Sequence, residues 1–221
     1  TTRATQLATQ MLLKDEEAHI LYCSVEMDSP EIGLKAISML SGTNCVAPYE
    51  EENESEIRKV ELRAGNYANL LTRMEIYYGS RLDKLLNAAH RIHKKKGLKM
   101  VVVDFISSII PPTEHATKSE AIGSISKALK DLARRLGVPV LACSQLNRGT
   151  TPNKRPTMKD LRDSGEIEQD ADIVILLHRP NDEEDSNPWV ELIVEKNRFG
   201  RLTSMRMEPD LHCHRFRSPV P

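Results

Sequence analysis

Aromatic side chains make up only 4% of these 221 residues, few for an extended surface that binds by stacking rings. No run of eighteen apolar residues occurs, so no segment reads as a membrane-spanning helix. The opening Thr-Thr-Arg-Ala-Thr-Gln lacks the charged-then-apolar order of a secretory leader. The four cysteines, Cys23, Cys45, Cys143 and Cys213, stand far apart with no Cys-x-x-Cys. They read as free thiols of a reducing compartment, which makes cytoplasmic residence the expectation. An excess of one charge is also missing, since 31 Lys and Arg face 32 Asp and Glu for a net charge of −1. No global basic field advertises a polyanionic partner, although a ring of subunits can still line a channel with local cations.

What is present is an ordinary globular composition, 39% hydrophobic and 29% charged, over a length that suits one α/β domain spanning residues 1–221. No internal repeat or linker interrupts it. Ala4, Leu7, Ala8, Met11 and Leu12 recur at helical spacing and are followed by a charged turn and the apolar run His19 to Cys23, a buried strand. A helix after Asp28 or Ser29 uses Pro30 in its first turn and ends at Ser41-Gly42. Glu50 to Leu71 reads as a partly solvated helix with Glu50-Glu51-Glu52 in a solvated loop at its start, and Met74 to Tyr78 as a strand. A helix over 82–96 ends in Lys94-Lys95-Lys96-Gly97, cations that meet its dipole. The buried strand Met100 to Val103 closes on Asp104, and a long helix to Leu136 is capped by Gly137. Val138 to Cys143 reads as a further buried strand, Ile173 to Leu177 as an apolar run, and two closing strands fall near 189–196 and 202–208. The pattern predicts a mainly parallel twisted sheet with helices on both faces and an antiparallel C-terminal edge.

In open α/β sheets ligands collect at the carboxyl ends of the strands, which directs attention to the polar residues there. Asp104, after four apolar strand residues, has the Walker B arrangement, in which a carboxylate holds the water shell of a phosphate-bound Mg²⁺; many strands end in Asp simply to cap a turn. Glu26 can orient and deprotonate an attacking water, or be a surface carboxylate. Gln145 after Ser144 can report a phosphate through a neutral hydrogen bond, or merely open a loop. Lys196 and Arg198 alternate along a strand and share a face, so both can reach one phosphate; edge-strand cations that discourage aggregation look the same. His212-Cys213-His214 has no second Cys/His pair at finger-like spacing and is not read as a zinc site.

Five motifs then occur together and in order: Ser24-Val25-Glu26-Met27, Asp104-Phe105, Ser144-Gln145-Leu146-Asn147-Arg148, the thirteen residues from Asp160 to Asp172, and Lys196-Asn197-Arg198-Phe199-Gly200. Their order and spacing resemble those of DnaB-type replicative hexameric DNA helicases, in the C-terminal RecA-like ATPase domain, over essentially the whole chain. The resemblance implies a RecA-like P-loop NTPase core, ATP and Mg²⁺ as cofactors, and 5'-3' translocation on single-stranded DNA by a homohexameric ring that hydrolyses ATP at its subunit interfaces. Primase and a helicase loader are the implied partners, the cytoplasmic replication fork the implied place, and no membrane is involved. It makes Glu26 the catalytic glutamate, Asp104 the Walker B aspartate, and Gln145 the residue coupling the γ-phosphate to DNA. Lys196 and Arg198 become the pair that enters the adjacent subunit's site. Arg162, Asp163 and Gly165 fall in the loop facing DNA, where Arg162 and main-chain N–H groups hold backbone phosphates without reading sequence.

The family usually has Glu where Asp163 stands and Tyr where Phe105 stands, both mild changes. The larger departure is the phosphate loop: no Gly-x-x-x-x-Gly-Lys-Ser/Thr occurs, and the Lys118-Ser119 pair has no glycine in the six residues before it. Thr1-Thr2 followed by an apolar helix matches what comes after the phosphate-loop lysine. The expectation is a motor domain whose first strand and phosphate loop lie upstream, with Thr1 and Thr2 at the nucleotide and the Thr1 hydroxyl on Mg²⁺. A RecA/RadA-like recombination ATPase, or a non-catalytic oligomerisation or loader-binding scaffold, are the alternatives; the stretch from Arg162 to Asp172 argues against the first, the joint presence of Glu26, Asp104, Gln145 and Arg198 against the second.

Overall fold

The structure, a computed structural model, describes residues 1–114, 117–146, 154–161, 164–180 and 189–218, the side chain of Ser164 excepted. Arg162 and Asp163, the Asn147-Arg148 end of one motif and the acidic loop 181–187 lie outside the described residues.

The N-terminal half builds a parallel sheet in the order β2-β1-β3-β4, from β1 (His19–Ser24), β2 (Met74–Tyr78), β3 (Leu98–Asp104) and β4 (Val140–Ala142). The two central strands are apolar at consecutive positions because helices cover both faces. Leu21, Cys23, Val101 and Val103 point to one side, into a core with Leu85, Ala89 and Ile92 of α5 (Leu82–Lys96) and Ile125, Leu129 and Leu132 of α6 (Lys118–Leu136). Ile20, Tyr22 and Val102 point to the other, against Ala4, Ala8 and Leu12 of α1 (Thr2–Lys14) and Ile32 of α2 (Ser29–Ser41). α2 starts with a capping box between Asp28 and Glu31 and stops at Gly42, whose φ of 68° suits a residue without Cβ. α6 is framed the same way, by Thr117 with Glu120 and by Gly137.

Two local readings are corrected. The stretch from Glu50 is not one helix: a short α3 (Ala47–Glu50) ends, a turn follows, and α4 (Glu54–Leu71) restarts where the Asn53 side chain accepts a hydrogen bond from the Glu56 amide. An asparagine that offers its oxygen to the backbone stabilises a new helix start more than it stabilises helix interior. The run from Val138 is a strand over Val140–Ala142 only, and it is not buried there: Val140 and Leu141 are partly covered and Ala142 is exposed. The run from Ile173 forms β5 (Ile173–His178), with Val174 and Leu176 inside and Ile173, Ile175 and Leu177 40–48% exposed.

β5 belongs to a second, antiparallel sheet in the order β5-β6-β7-β8, completed by β6 (Val190–Asn197), β7 (Thr203–Asp210) and β8 (Arg215–Arg217). The expected hairpin is β6–β7; β8 is too short to carry a period in sequence. Between the sheets, β4 and β5 are each hydrogen-bonded to one neighbour only among the described residues.

The last strand returns to the first helix. The Gln6 side chain, on α1, donates to the Phe216 carbonyl at 2.7 Å and accepts from the Phe216 amide at 3.0 Å, treating that backbone as a strand neighbour would. Arg215 donates to the Met39 carbonyl in α2 at 3.1 Å and pairs with Asp210. Finally α7 (Ser164–Asp170) lies on α6 so closely that a Cβ on Gly123 would sit 2.7 Å from Cγ of Glu166. Gly123→Ala is therefore expected to displace α7, because the obstructing atoms are the root of the glutamate and not its mobile end; hydrogen exchange of the α7 amides should rise while that of β3 stays unchanged.

Candidate nucleotide site

Parallel register brings the sequence-predicted carboxylates and glutamine to one end of the sheet. Ser24 of β1 is the register partner of Asp104 in β3, and the Val25 amide donates to the Asp104 carbonyl at 3.4 Å. Val103 in turn pairs with Ala142 of β4. Glu26 and Gln145 thus follow the carboxyl ends of the strands on either side of Asp104, and both are exposed. Asp104 itself is 6% exposed.

Burying a carboxylate this deeply requires partners. One is the Tyr22 hydroxyl, which donates to Asp104 Oδ2 at 3.1 Å. Tyr22 has a single hydroxyl hydrogen. With that hydrogen on Asp104, Tyr22 can only accept at its 3.1 Å contact with the Thr5 hydroxyl, which also has the Thr1 carbonyl as an acceptor at 3.3 Å. Burial and then the Asp104 carboxylate push the Tyr22 phenol above its ordinary range, so it stays a donor. The same causes raise Cys23 to about 12 and Cys143 to about 11. Both thiols are neutral at pH 7 and add no competing charge beside the carboxylate.

Asp104 Oδ1 faces the start of α1, 3.7 Å from the backbone nitrogen of Thr1. Thr1 is the N-cap of that helix, yet its side chain makes no capping hydrogen bond, so the hydroxyl is not spent on the helix. A buried carboxylate with one oxygen satisfied and the other directed at a free helix-capping threonine fits a hydrated Mg²⁺, which takes few protein ligands and completes its shell with water and phosphate oxygens. Among the described residues no group of three or more His, Cys, Asp or Glu could hold a metal by itself; this covers His212, Cys213 and His214.

Tyr22→Phe tests the support of this carboxylate. It leaves the ring in the core but takes the donor from a buried acceptor, while the Thr5 hydroxyl keeps the Thr1 carbonyl; the loss is about 1–3 kcal/mol, which urea denaturation should show as a lower midpoint at unchanged slope. An unaltered midpoint would mean that water substitutes for the phenol.

Lys196 and Arg198 are not part of this group. They stand at and just beyond the end of β6, and both turn to the C-terminal end of α7. Lys196 donates to the Glu168 carbonyl; Arg198 donates through Nη2 to the Gln169 carbonyl at 2.9 Å and through Nη1 to Asp172 Oδ1 at 3.2 Å. The other Asp172 oxygen takes the Lys130 ammonium of α6. Lys130 first, and Arg198 after it, hold the Asp172 carboxyl below its ordinary range. The cluster is thus complete at and above the ordinary aspartate range and is lost only as pH falls through that lowered value. Arg198 keeps 46% of its side chain exposed. Gly165, the described member of the expected DNA-facing loop, is in α7 and exposed.

Sequence reasoning passed over Tyr22, Thr5, Lys130 and Asp172 as site residues. Tyr22 carried a signal: a phenol in an otherwise aliphatic buried strand needs a partner for its hydroxyl.

A parallel sheet covered on both faces, with an acidic residue ending its central strand, a carboxylate and a glutamine flanking it, and an antiparallel sheet beyond, define the class of RecA-like ATPase domains. The solved structures agree. The fold superposes on a structure described as the ATPase domain of a larger protein with a TM-score of 0.86 at 26% identity, covering 99% of this chain and 80% of that one. It superposes equally well, TM-score 0.86 at 27% identity, on a DnaB-like replicative helicase solved with attention to its interactions with primase, covering 100% of this chain and 54% of that one. The sequence profile of the DnaB-like helicase C terminal domain matches residues 1–218, and the chain belongs to that family. Among relatives, replicative DNA helicase DnaB of Mycobacterium leprae is 37% identical over 92% of this chain and 35% of its own length. The corresponding DnaB of Pasteurella multocida is 31% identical over 94% of this chain and 46% of its own length. The chain spans less than half of either relative.

Proposed function

We propose that residues 1–221 are the ATP-hydrolysing motor of a replicative DNA helicase, a homohexameric ring that moves 5'-3' along single-stranded DNA in the cytoplasm. The observation that carries this reading is the meeting of Thr1, Asp104, Glu26 and Gln145 at one end of the parallel sheet, within a chain that belongs to the DnaB-like helicase family.

In this reading Asp104 and the Thr1 hydroxyl hold Mg²⁺, Thr2 begins the helix that faces the phosphates, and the phosphate-cradling lysine belongs to a segment that precedes Thr1. Bound Mg²⁺ supplies charge to stabilise the phosphoryl group in flight. Glu26, free and exposed, orients the attacking water and takes its proton; Gln145 reports whether the γ-phosphate is present. Two further features support an upstream strand. β4 and β5 each leave one edge unpaired among the described residues, and the face of β5 with Ile173, Ile175 and Leu177 is exposed. Lys196 and Arg198 act on the adjacent subunit's nucleotide, and Arg162, Asp163 and Gly165 on the DNA backbone. Primase and a loader are the proposed protein partners, primase because a structural neighbour is described with it.

Mg²⁺-dependent ATP hydrolysis, with and without single-stranded DNA, should be measured on the natural full-length protein beside residues 1–221 alone. Turnover by the full-length protein that rises with DNA, and none by residues 1–221, is the expected outcome. Absence of hydrolysis from both would end the motor reading and leave a scaffold as the better account.

A further inference from the structure

The cation expected to act on a neighbouring subunit does not hang free on its own. Its backbone amide donates to the Asp172 carbonyl at 2.9 Å, continuing the ladder in which Ile173 pairs with Asn197. Its guanidinium then closes on the side chain of the same aspartate. Asp172 is therefore tied to Arg198 twice, and tied a third time to Lys130, only 15% exposed on a helix whose apolar face is built into the main core. We propose that Asp172 is a positioning residue for the nucleotide reaction: it aims the Arg198 guanidinium toward the subunit interface and fixes that aim to α6 through Lys130. The proposal rests on the trans role assigned to Arg198.

Charge decides between aiming and disabling. A lone Asp–Arg pair would cancel the cation and leave little for a phosphate. Here one carboxylate is shared by two cations, so the group of Lys130, Asp172 and Arg198 keeps a net positive charge. Arg198 spends Nη1 on Asp172 and Nη2 on the Gln169 carbonyl, while five N–H donors leave others for an incoming anion. The guanidinium is the exposed member of the trio and the ammonium the covered one. A side chain held in advance loses less freedom on engaging its target, which is a benefit realised in the reacting complex.

The test is steady-state ATP hydrolysis by the full-length protein carrying Asp172→Asn, Arg198→Ala, or both, with thermal melting as a control for folding. Asp172→Asn is expected to lower kcat roughly 10- to 100-fold, as misplacement of a reacting group does, with KM for ATP within about twofold. In the Arg198→Ala background the same substitution should cause no further loss, an outcome that general loosening of the domain would not produce. Lys130→Met should move kcat in the same direction by less, and it is read in the same way if Asp172→Asn fails to fold. Wild-type turnover by Asp172→Asn, or a loss that multiplies with that of Arg198→Ala, overturns the positioning role while leaving the motor reading intact. Full turnover by Arg198→Ala alone removes the trans role and this proposal with it.

Discussion

Arg198→Ala, in the full-length protein, is expected to lower kcat for ATP by about 10³-fold or more while leaving nucleotide affinity within a few-fold. A cation that reaches the transferring phosphoryl group from a neighbouring subunit contributes on the order of 10³ to 10⁵ in rate, because it meets charge that develops chiefly in the transition state. The side chain is half exposed and is held by contacts to Asp172 and the Gln169 carbonyl. Its removal leaves Asp172 still paired with Lys130, so folding should be nearly unaffected. Steady-state hydrolysis together with equilibrium binding of a fluorescent nucleotide separates the two effects. Full turnover would show that no arginine from this strand enters a partner's site.

Asp104→Asn is the second large effect. The replacement keeps the shape of the side chain and can still accept the Tyr22 hydrogen bond, so the core around β3 has little reason to change. What it loses is the charge facing Thr1 and, on the proposed role of Asp104, the means of holding Mg²⁺ at the phosphates. Because metal charge stabilises the transition state by several kcal/mol, hydrolysis should fall by about 10²-fold or more. The Mg²⁺ concentration needed for half-maximal rate should rise. Retained hydrolysis at unchanged Mg²⁺ dependence would remove Asp104 from the metal site.

The strands that carry this chemistry were legible in sequence for a physical reason. β1 and β3 are buried on both faces, so their apolar runs are uninterrupted and the first polar residue marks the end of the sheet; Glu26 and Asp104 stand out at those ends. β5 resisted the same reading: Ile173 to Leu177 is equally apolar, but only alternate residues are covered. The restart at Asn53 was not placed because residues 50–56 hold no apolar position to mark a helix boundary, and the cap is one side-chain hydrogen bond. Lys130 and Asp172 lie 42 residues apart, and no local period links them. Their pairing exists only after α6 and the β5–β6 ladder have been assembled. Nor does spacing place Lys196 and Arg198 on the end of α7; it says only that they share a face.

The bond between Gln6 and Phe216 has a consequence for β8. Gln6 is 6% exposed and its amide is satisfied by one backbone unit of β8. Removing β8 would take the acceptor from the Gln6 Nε2 donor and one of the two donors from its Oε1, which Arg3 alone would then serve, a loss of about 1–3 kcal/mol felt little more than a helical turn from Thr1. β8 is therefore a strut: a strand with no reacting group of its own braces the helix whose first residue faces Asp104, so damage at the far edge of the antiparallel sheet is registered at the candidate nucleotide site.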